Sequence, residues 1–340
     1  MKTVVLFGGT GFIGTHLAQH LLKHDLAETI VLVDLKQPRD VHYTQLLQSG
    51  ILSGRVIFVL HDVREPVPPG LLPSQVDLIF NLAAVHREPG HLPKEYFDTN
   101  VPGAENVCAW ADAVGCETMV FTSSISPYGP SEARRTETSV PAPETAYGSS
   151  KLAAEDIHKK WQTAQAGRKL LILRPGVVFG AGEGGNVTRL LRSLVKGYFV
   201  YLGNRQTIKS AGYVKELCLV TMFGLEAMRT TGSQMLLINF SLDPPPTVEQ
   251  MVESMLRVIG KNRRVFSLPR TFLLGISYPL SAAGRLFGVK LPINPVRVRK
   301  IVRSNNVWPA QLKSLGYKYT YTLESAFSDW KEDVPEDFLA

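Results

Sequence analysis

Lys2-Thr3-Val4-Val5-Leu6-Phe7-Gly8-Gly9-Thr10-Gly11-Phe12-Ile13-Gly14 decides the fold. Residues 2–7 form an apolar, β-branched run that suits a buried strand, and the glycines follow at once. Phe12, Ile13, Leu17 and Leu21 then recur at helical spacing, which puts the glycines on a strand-to-helix turn. Such a turn presents backbone N–H groups at a helix N-terminus, and the absent side chains let a pyrophosphate approach them. Residues 29–33 read as a second buried strand ending in Asp34. A carboxylate there accepts hydrogen bonds from an adenosine ribose and repels a 2′-phosphate. Strand, glycines, helix, strand and terminal acid together predict a dinucleotide site that takes NAD, although Lys36 and Arg39 weaken the exclusion of NADP.

The alternation continues. Residues 56–60 give a third strand, followed by Asp62 and Val63 as candidates for an adenine edge. Residues 77–84 give a fourth, whose Leu82, Ala83 and Ala84 leave room for a cofactor to pass. A helix is predicted over 95–114; its Asn100 reads either as a polar core residue or as a linchpin for the strand ends. Residues 119–124 form a fifth strand and 170–173 a sixth, which ends in Arg174-Pro175-Gly176. Strands alternating with helices predict a doubly wound parallel α/β sheet of Rossmann type, with right-handed connections. We expect residues 1–180 to form the NAD-binding domain. Residues 205–240 should return to it with a seventh strand, leaving 181–204 and 241–340 as a smaller substrate lobe. Thr247 and Gln250 have the spacing of a capping box.

Ligands of parallel sheets sit beyond the carboxyl ends of the strands. Ser124 and Ser126 lie past the fifth strand, beside a Pro and Gly turn that would also explain them as caps. Tyr147-Gly148-Ser149-Ser150-Lys151 places a phenol and an ammonium one helical turn apart on one face. A nearby cation favours a phenolate, so Lys151 is expected to bring Tyr147 toward a working base at neutral pH. Taken alone the motif is weak, and its weight comes from the dinucleotide pattern around it.

Composition excludes several classes. The 340 residues are 44% hydrophobic and 20% charged, as in an ordinary globular protein. No signal peptide or membrane-spanning tract is read, so a cytoplasmic protein without an integral membrane segment is expected. Cys108, Cys116 and Cys218 lack metal-ligand spacing and read as free buried thiols, and no metal is expected. The net charge of +7 is uneven: from Lys261 to Arg303 there are ten Lys and Arg and no Asp or Glu. Such a field favours an anionic partner, but no nucleic-acid motif accompanies it.

With the glycine turn, Asp34, Asp62, Asn81-Leu82-Ala83-Ala84, Ser124, Tyr147-x-x-x-Lys151 and Arg174-Pro175-Gly176 in order, the chain resembles the extended short-chain dehydrogenase/reductases. Within them it is most similar to the NAD-dependent nucleotide-sugar epimerases and dehydratases. The resemblance implies catalytic roles for Ser124, Tyr147 and Lys151. It implies a cofactor site of Gly8, Gly11, Phe12, Ile13, Gly14, Asp34, Asp62, Val63, Leu82, Ala83, Ala84, Asn100, Tyr147, Lys151 and Pro175. Substrate contacts would come from Ser124, Ser126, Asn186 and Lys209, and a homodimer is expected. Two departures matter. The adjacent Asp-Glu pair of 4,6-dehydratases is replaced by Ser123-Ser124, which argues against dehydration. Lys209 stands where a phosphate-binding Arg is usual, with Arg205 or a basic residue after Arg263 as substitutes.

The expected reaction is epimerisation of a nucleotide-diphosphate sugar at carbon 4, with Tyr147 as base. The alternatives are net oxidation or reduction of a sugar nucleotide or a hydroxysteroid-like lipid, and a non-catalytic NAD-binding regulator.

Overall fold

The computed structural model describes residues 1–88, 90–268 and 303–339. The chain begins with β1 (Thr3–Phe7), α1 (Phe12–Lys23), β2 (Thr29–Asp34), α2 (Gln45–Leu52) and β3 (Val56–Leu60). It continues through β4 (Leu78–Asn81), α3 (Pro93–Ala113), β5 (Thr118–Thr122), β6 (Ser131–Arg135), α4 (Ala146–Thr163) and β7 (Lys169–Pro175). After β8 (Val177–Phe179), α5 (Asn186–Val195), β9 (Tyr201–Leu202), β10 (Ala211–Tyr213) and α6 (Val214–Thr231), it returns as β11 (Met235–Phe240). Seven of these strands form one sheet in the order β11-β7-β5-β4-β1-β2-β3, and every pairing in it is parallel. Neighbouring β1 and β4 lead to opposite sides of the order, and a crevice is expected at such a reversal.

The apolar runs form strands because both faces of the sheet are covered. Val4 and Leu6 of β1 join Ile30, Leu32, Phe80 and Leu171 in a core with α1 and α6. Their neighbours Val5 and Phe7 point the other way, into a core with Val31, Ile79, Phe121, Val107 of α3 and Trp161 of α4. Period-two alternation therefore supplies two hydrophobic layers from one strand, each fully buried side chain contributing about 1.5–3 kcal/mol.

A third core lies outside the sheet. Phe179, Leu191 and Leu194 meet Met255 of α7 (Val248–Ile259) and Phe327 and Trp330 of α9 (Leu323–Asp333). The Thr247 capping box starts α7: its hydroxyl accepts from Gln250 N–H at 3.2 Å while Gln250 Oε1 accepts from Thr247 N–H at 2.8 Å. Among the described residues, three two-stranded pairs, none of them anticipated from the sequence, lie outside the main sheet. They are β8 with β10, β9 with β12 (Ser267–Leu268), and β6 with β13 (Asn305–Val307), which precedes the short α8 (Ala310–Ser314). With two to five residues per strand, they carry no period that a sequence reading can detect.

The fourth strand differs from expectation. It stops at Asn81, and Leu82, Ala83 and Ala84 leave the ladder as a loop. The reason is the glycine turn. Gly8 has φ +77°, and a Cβ there would lie 2.7 Å from the Ala83 nitrogen, so the two backbones touch. Gly14 seats α1 against the same turn, because its Cβ would lie 2.6 Å from both the Gly8 and Gly9 carbonyl oxygens. Gly14→Ala should therefore destabilise the protein by about 1–3 kcal/mol through backbone displacement. Thermal unfolding checks this, and an unchanged midpoint would show that the turn can open without loss.

Candidate active site

The strand ends gather the chemical residues. At the end of β2, the Asp34 carboxylate accepts from Thr10 N–H at 3.1 Å and Leu35 N–H at 2.7 Å, which fixes it beside the glycine turn. Gly11 caps α1 without a side-chain hydrogen bond, and a Cβ there would meet only the Gly8 oxygen, at 3.2 Å. The turn thus keeps open backbone next to a fixed carboxylate, and this fits a dinucleotide. Phe12 and Ile13 open the helix behind it, and Pro175 closes β7, its carbonyl accepting from Ile125 N–H at 3.0 Å.

Two further candidates sit farther along the sheet. Asp62 is occupied by its neighbour, since Arg64 Nε donates to it at 2.8 Å and Arg64 N–H at 3.0 Å, and this fork holds its carboxyl below the usual range. Val63 is buried against Gly103, and its carbonyl accepts from Asn106 at 2.9 Å.

Asn100 bridges the two halves of the site. Its Oδ1 accepts from Val85 N–H at 2.9 Å, and its Nδ2 donates to Val85 O at 3.2 Å and to Ser150 Oγ at 2.9 Å. Ser150 in turn donates to the Tyr147 carbonyl at 2.9 Å. The loop that touches Gly8 is thereby tied to the first turn of α4. The linchpin reading of Asn100 describes this geometry.

That first turn forms because Thr145 caps it, accepting from Gly148 N–H at 3.1 Å. Tyr147 and Lys151 follow on one face. Burial raises the Tyr147 phenol, the nearby Ser124 hydroxyl lowers it, and Glu88 and Tyr96 raise it, which together leave it at about 12. Ser124 Oγ accepts from Ser126 N–H at 3.1 Å and lies 3.1 Å from Ser126 Oγ. The sequence expectation that Lys151 tunes the phenol meets a different geometry. Its Nζ donates to the Thr122 carbonyl at 2.6 Å and lies 4.4 Å from the centre of the Phe121 ring, and it is not among the groups acting on Tyr147. Lys151 is only 2% exposed, and desolvation draws it down to about 7 against the opposing charge of Glu155.

Glu155 is the residue that sequence reasoning missed. It is fully buried, one turn beyond Lys151, and its carboxylate accepts from Arg174 Nε at 2.7 Å, Arg174 Nη2 at 2.6 Å and Ser123 Oγ at 2.6 Å. Burial alone would raise its carboxyl, but the Arg174 fork and the Ser123 hydroxyl hold it below the usual range. One carboxylate therefore joins α4, β7 and the residue before Ser124. The available signal was the four-residue step Tyr147, Lys151, Glu155, together with a cation at the end of an otherwise apolar strand. Below it, His158 stacks on Phe121 at 4.0 Å, with Nδ1 against Ala154 O at 2.7 Å and Nε2 facing Asn81 Nδ2 at 3.2 Å. Asn81 Oδ1 is buried without a partner.

The expected substrate contacts lie farther out. Asn186 is exposed at the start of α5 and accepts from Arg189 at 2.7 Å. Lys209 is half-buried; burial lowers it to about 8, and its Nζ donates to the carbonyl of Arg303 at 2.5 Å. Arg303 forks onto Glu144 at 2.7 and 3.0 Å, close in sequence to Tyr147. Arg205 is paired with Glu249 at 3.1 Å. Most of the remaining basic run after Arg264 lies outside the described residues. Cys108, Cys116 and Cys218 are free, buried and raised to about 11 or 12 by burial, which leaves them unreactive. Among the described residues, no helix is long and apolar enough to cross a membrane.

The glycine turn, Asp34 and the Ser124, Tyr147, Lys151 group define a Rossmann-type, nicotinamide-dependent enzyme. Residues 4–237 match the NAD-dependent epimerase/dehydratase family, and the chain belongs to it. One relative, the N-acetyl-α-D-glucosaminyl-diphospho-ditrans,octacis-undecaprenol 4-epimerase of Escherichia coli O157:H7, is 28% identical over 94% of this chain and 91% of its own length. UDP-glucose 4-epimerase 3 of Oryza sativa subsp. japonica is 27% identical over 59% of this chain, which spans 55% of that protein. Among solved structures, MoeE5 in complex with UDP-glucose and NAD superimposes with a TM-score of 0.72 at 20% identity, over 98% of both chains. The Campylobacter jejuni UDP-Glc/GlcNAc 4-epimerase gives 0.72 at 18% identity, over 98% of this chain and 99% of its own. These last two likenesses establish the fold.

Two outcomes test the electrostatics of this site. Glu155→Gln leaves Arg174 buried and unpaired and should cost about 3–5 kcal/mol of stability, read by denaturant unfolding; a loss below 1 kcal/mol would mean that water replaces the carboxylate. His158 is lowered to about 4 by burial. Between pH 4 and 6.5 the unfolded chain therefore binds more protons at this residue, so its contribution makes stability fall as pH drops through that window. In His158→Gln the fall should be shallower, and an unaltered slope would assign it to other groups.

Proposed function

We propose that the chain is a 4-epimerase acting on a sugar carried by a diphosphate, with Tyr147 moving the hydroxyl proton. The observation that carries this reading is the Tyr147 phenol beside the Ser124 hydroxyl at the strand ends, on a helix turn whose Tyr147 backbone carbonyl is tied through Ser150, Asn100 and Val85 to the loop against Gly8. Tyr147 as phenolate would take the proton from the hydroxyl of the carbon to be inverted, with Ser124 holding that oxygen. NAD, when bound, accepts the hydrogen of that carbon with its electron pair and then returns it. The keto sugar presents its other face before the return, and Tyr147 gives the proton back, so nothing is oxidised overall. Burial, Ser124, Glu88 and Tyr96 together leave the phenol near 12, so added positive charge is needed to reach neutral pH. Lys151, bonded to the Thr122 carbonyl in this structure, would hold the cofactor ribose.

Dehydration is disfavoured because Ser123 and Ser124 occupy the places of the required acid pair. The one carboxylate that Ser123 reaches, Glu155, is locked by Arg174. For the diphosphate we assign Asn186, Lys209 and Arg303. Arg303 stands beside Lys209 and carries the planar fork that Lys209 lacks, which would turn from Glu144 to the diphosphate; Arg205 is likewise paired, with Glu249.

The carrier is a nucleotide in the leading reading, as the names of the UDP-glucose 4-epimerases suggest. A lipid diphosphate is the second. What favours it is that the similarity to the undecaprenol-linked enzyme runs over 94% of the chain, third core included, while the UDP-glucose enzymes align over 59% or less. Incubation with UDP-linked and polyprenyl-diphosphate-linked N-acetylglucosamine, with chromatography of the sugars and absorbance of the nicotinamide, separates these cases. An inverted sugar without net NADH is expected; stoichiometric NADH would mean a dehydrogenase. Tyr147→Phe should lower turnover about 10²–10⁴-fold while NAD stays bound. Retained turnover would remove Tyr147 as the base.

A further inference from the structure

The third core carries a surface that the reaction does not use. The turn after α5 and the segment between α7 and β12 run side by side, laced by cations bonded to carbonyls. Lys261 Nζ donates to Val195 O, Arg263 Nη1 to Gly197 O at 2.5 Å and Arg263 Nη2 to Phe199 O at 3.2 Å, while Tyr201 N–H bonds Phe266 O at 2.8 Å. The lacing holds two aromatic rings outward: Tyr198 is 67% exposed and Phe266 77%. Lys196 and Arg264 are exposed on the same two segments. A carbonyl partner does not neutralise a cation, so Lys261 and Arg263 add to the local positive field.

Along the chain, residues 254–323 contain 13 Lys and Arg and no Asp or Glu, and the remainder is net acidic; of these cations, Lys261, Arg263 and Arg264 lie on the segment that carries Phe266. Carboxylates face the elements that carry the patch: Glu249 and Glu253 of α7 act on Tyr201, Glu249 is paired with Arg205, and Asp337 is paired with Arg192 in the last turn of α5. Exposed aromatic rings among uncompensated cations match an interface that is apolar inside and anionic at its surface. The patch begins where α5 ends, and Asn186 begins the same helix, about 15 Å away for ten residues at 1.5 Å each. A bilayer against Tyr198 and Phe266 would therefore lie one helix length from the proposed diphosphate contact.

We propose that Tyr198, Phe266, Lys196 and Arg264 form a docking patch for the surface of an anionic phospholipid membrane. The rings enter the headgroup layer and the cations pair with lipid phosphates. Its test needs no substrate and stands whichever carrier the enzyme accepts.

The full-length protein is sedimented with phosphatidylcholine vesicles, with or without about one-third phosphatidylglycerol, at low and high salt. Wild type should pellet with the anionic vesicles and be released by salt. Tyr198→Ser with Phe266→Ser should weaken partitioning at least about tenfold through lost apolar burial. Lys196→Gln with Arg264→Gln should weaken it by about tenfold, and only on anionic vesicles. Both double variants should keep the wild-type circular dichroism spectrum and thermal midpoint, which shows that they are folded. Failure of the wild type to pellet, equal pelleting on neutral vesicles, pelleting without vesicles through self-association, or variants that pellet like wild type would each overturn the proposal.

Discussion

A parallel sheet buried on both faces can place polar side chains only where its strands end. In this protein the strand interiors are apolar on both sides, and the groups able to do chemistry collect at one edge. Asp34 ends β2, Asn81 ends β4, Ser123 and Ser124 follow β5, and Arg174 lies near the end of β7. The helices then orient that edge. The first is pressed onto the glycine turn by Gly14, and α4 brings Tyr147, Lys151 and Glu155 down three successive turns toward the same strands.

The edge is held by a buried ion pair, an arrangement with two opposed consequences. Removing Glu155 and Arg174 from water is expensive, and their contact with each other and with Ser123 offsets that cost only while both remain. Their stability is thus tied to geometry, and the geometry they fix is that of Ser124 and α4. The same low dielectric acts on Lys151. Its ammonium loses solvation and is held by the Thr122 carbonyl, so its proton is easily given up near neutrality.

The third core shows a different logic. Its apolar centre, from Phe179 to Trp330, is ordinary, while the turn after α5 and the segment after α7 expose Lys196, Lys261 and Arg264 beside Arg263. Cations there bond to carbonyls and so keep their charge, and the field they create is available to anions. The diphosphate assigned to Lys209 and Arg303 and the membrane surface assigned to Tyr198 and Phe266 draw on one electrostatic property at two ranges.

Sequence alone determined the sheet and its cofactor. Periodic apolar runs, the glycines and Asp34 act locally, so their spacing in the chain is their meaning, and the chain's order was enough to place Ser124, Tyr147 and Lys151 at strand or helix ends. Only the tertiary structure decided what those residues touch. Lys151 lies one turn from Tyr147, yet its ammonium reaches Thr122, because burial makes the nearest carbonyl the best partner. Glu155 and Arg174 are 19 positions apart and Asn100 and Ser150 are 50 apart, and nothing in their own neighbourhoods announces the partner. The short pairs β6 with β13 and β9 with β12 were equally hidden, since two to five residues of strand have no period and their register comes from the elements packed around them.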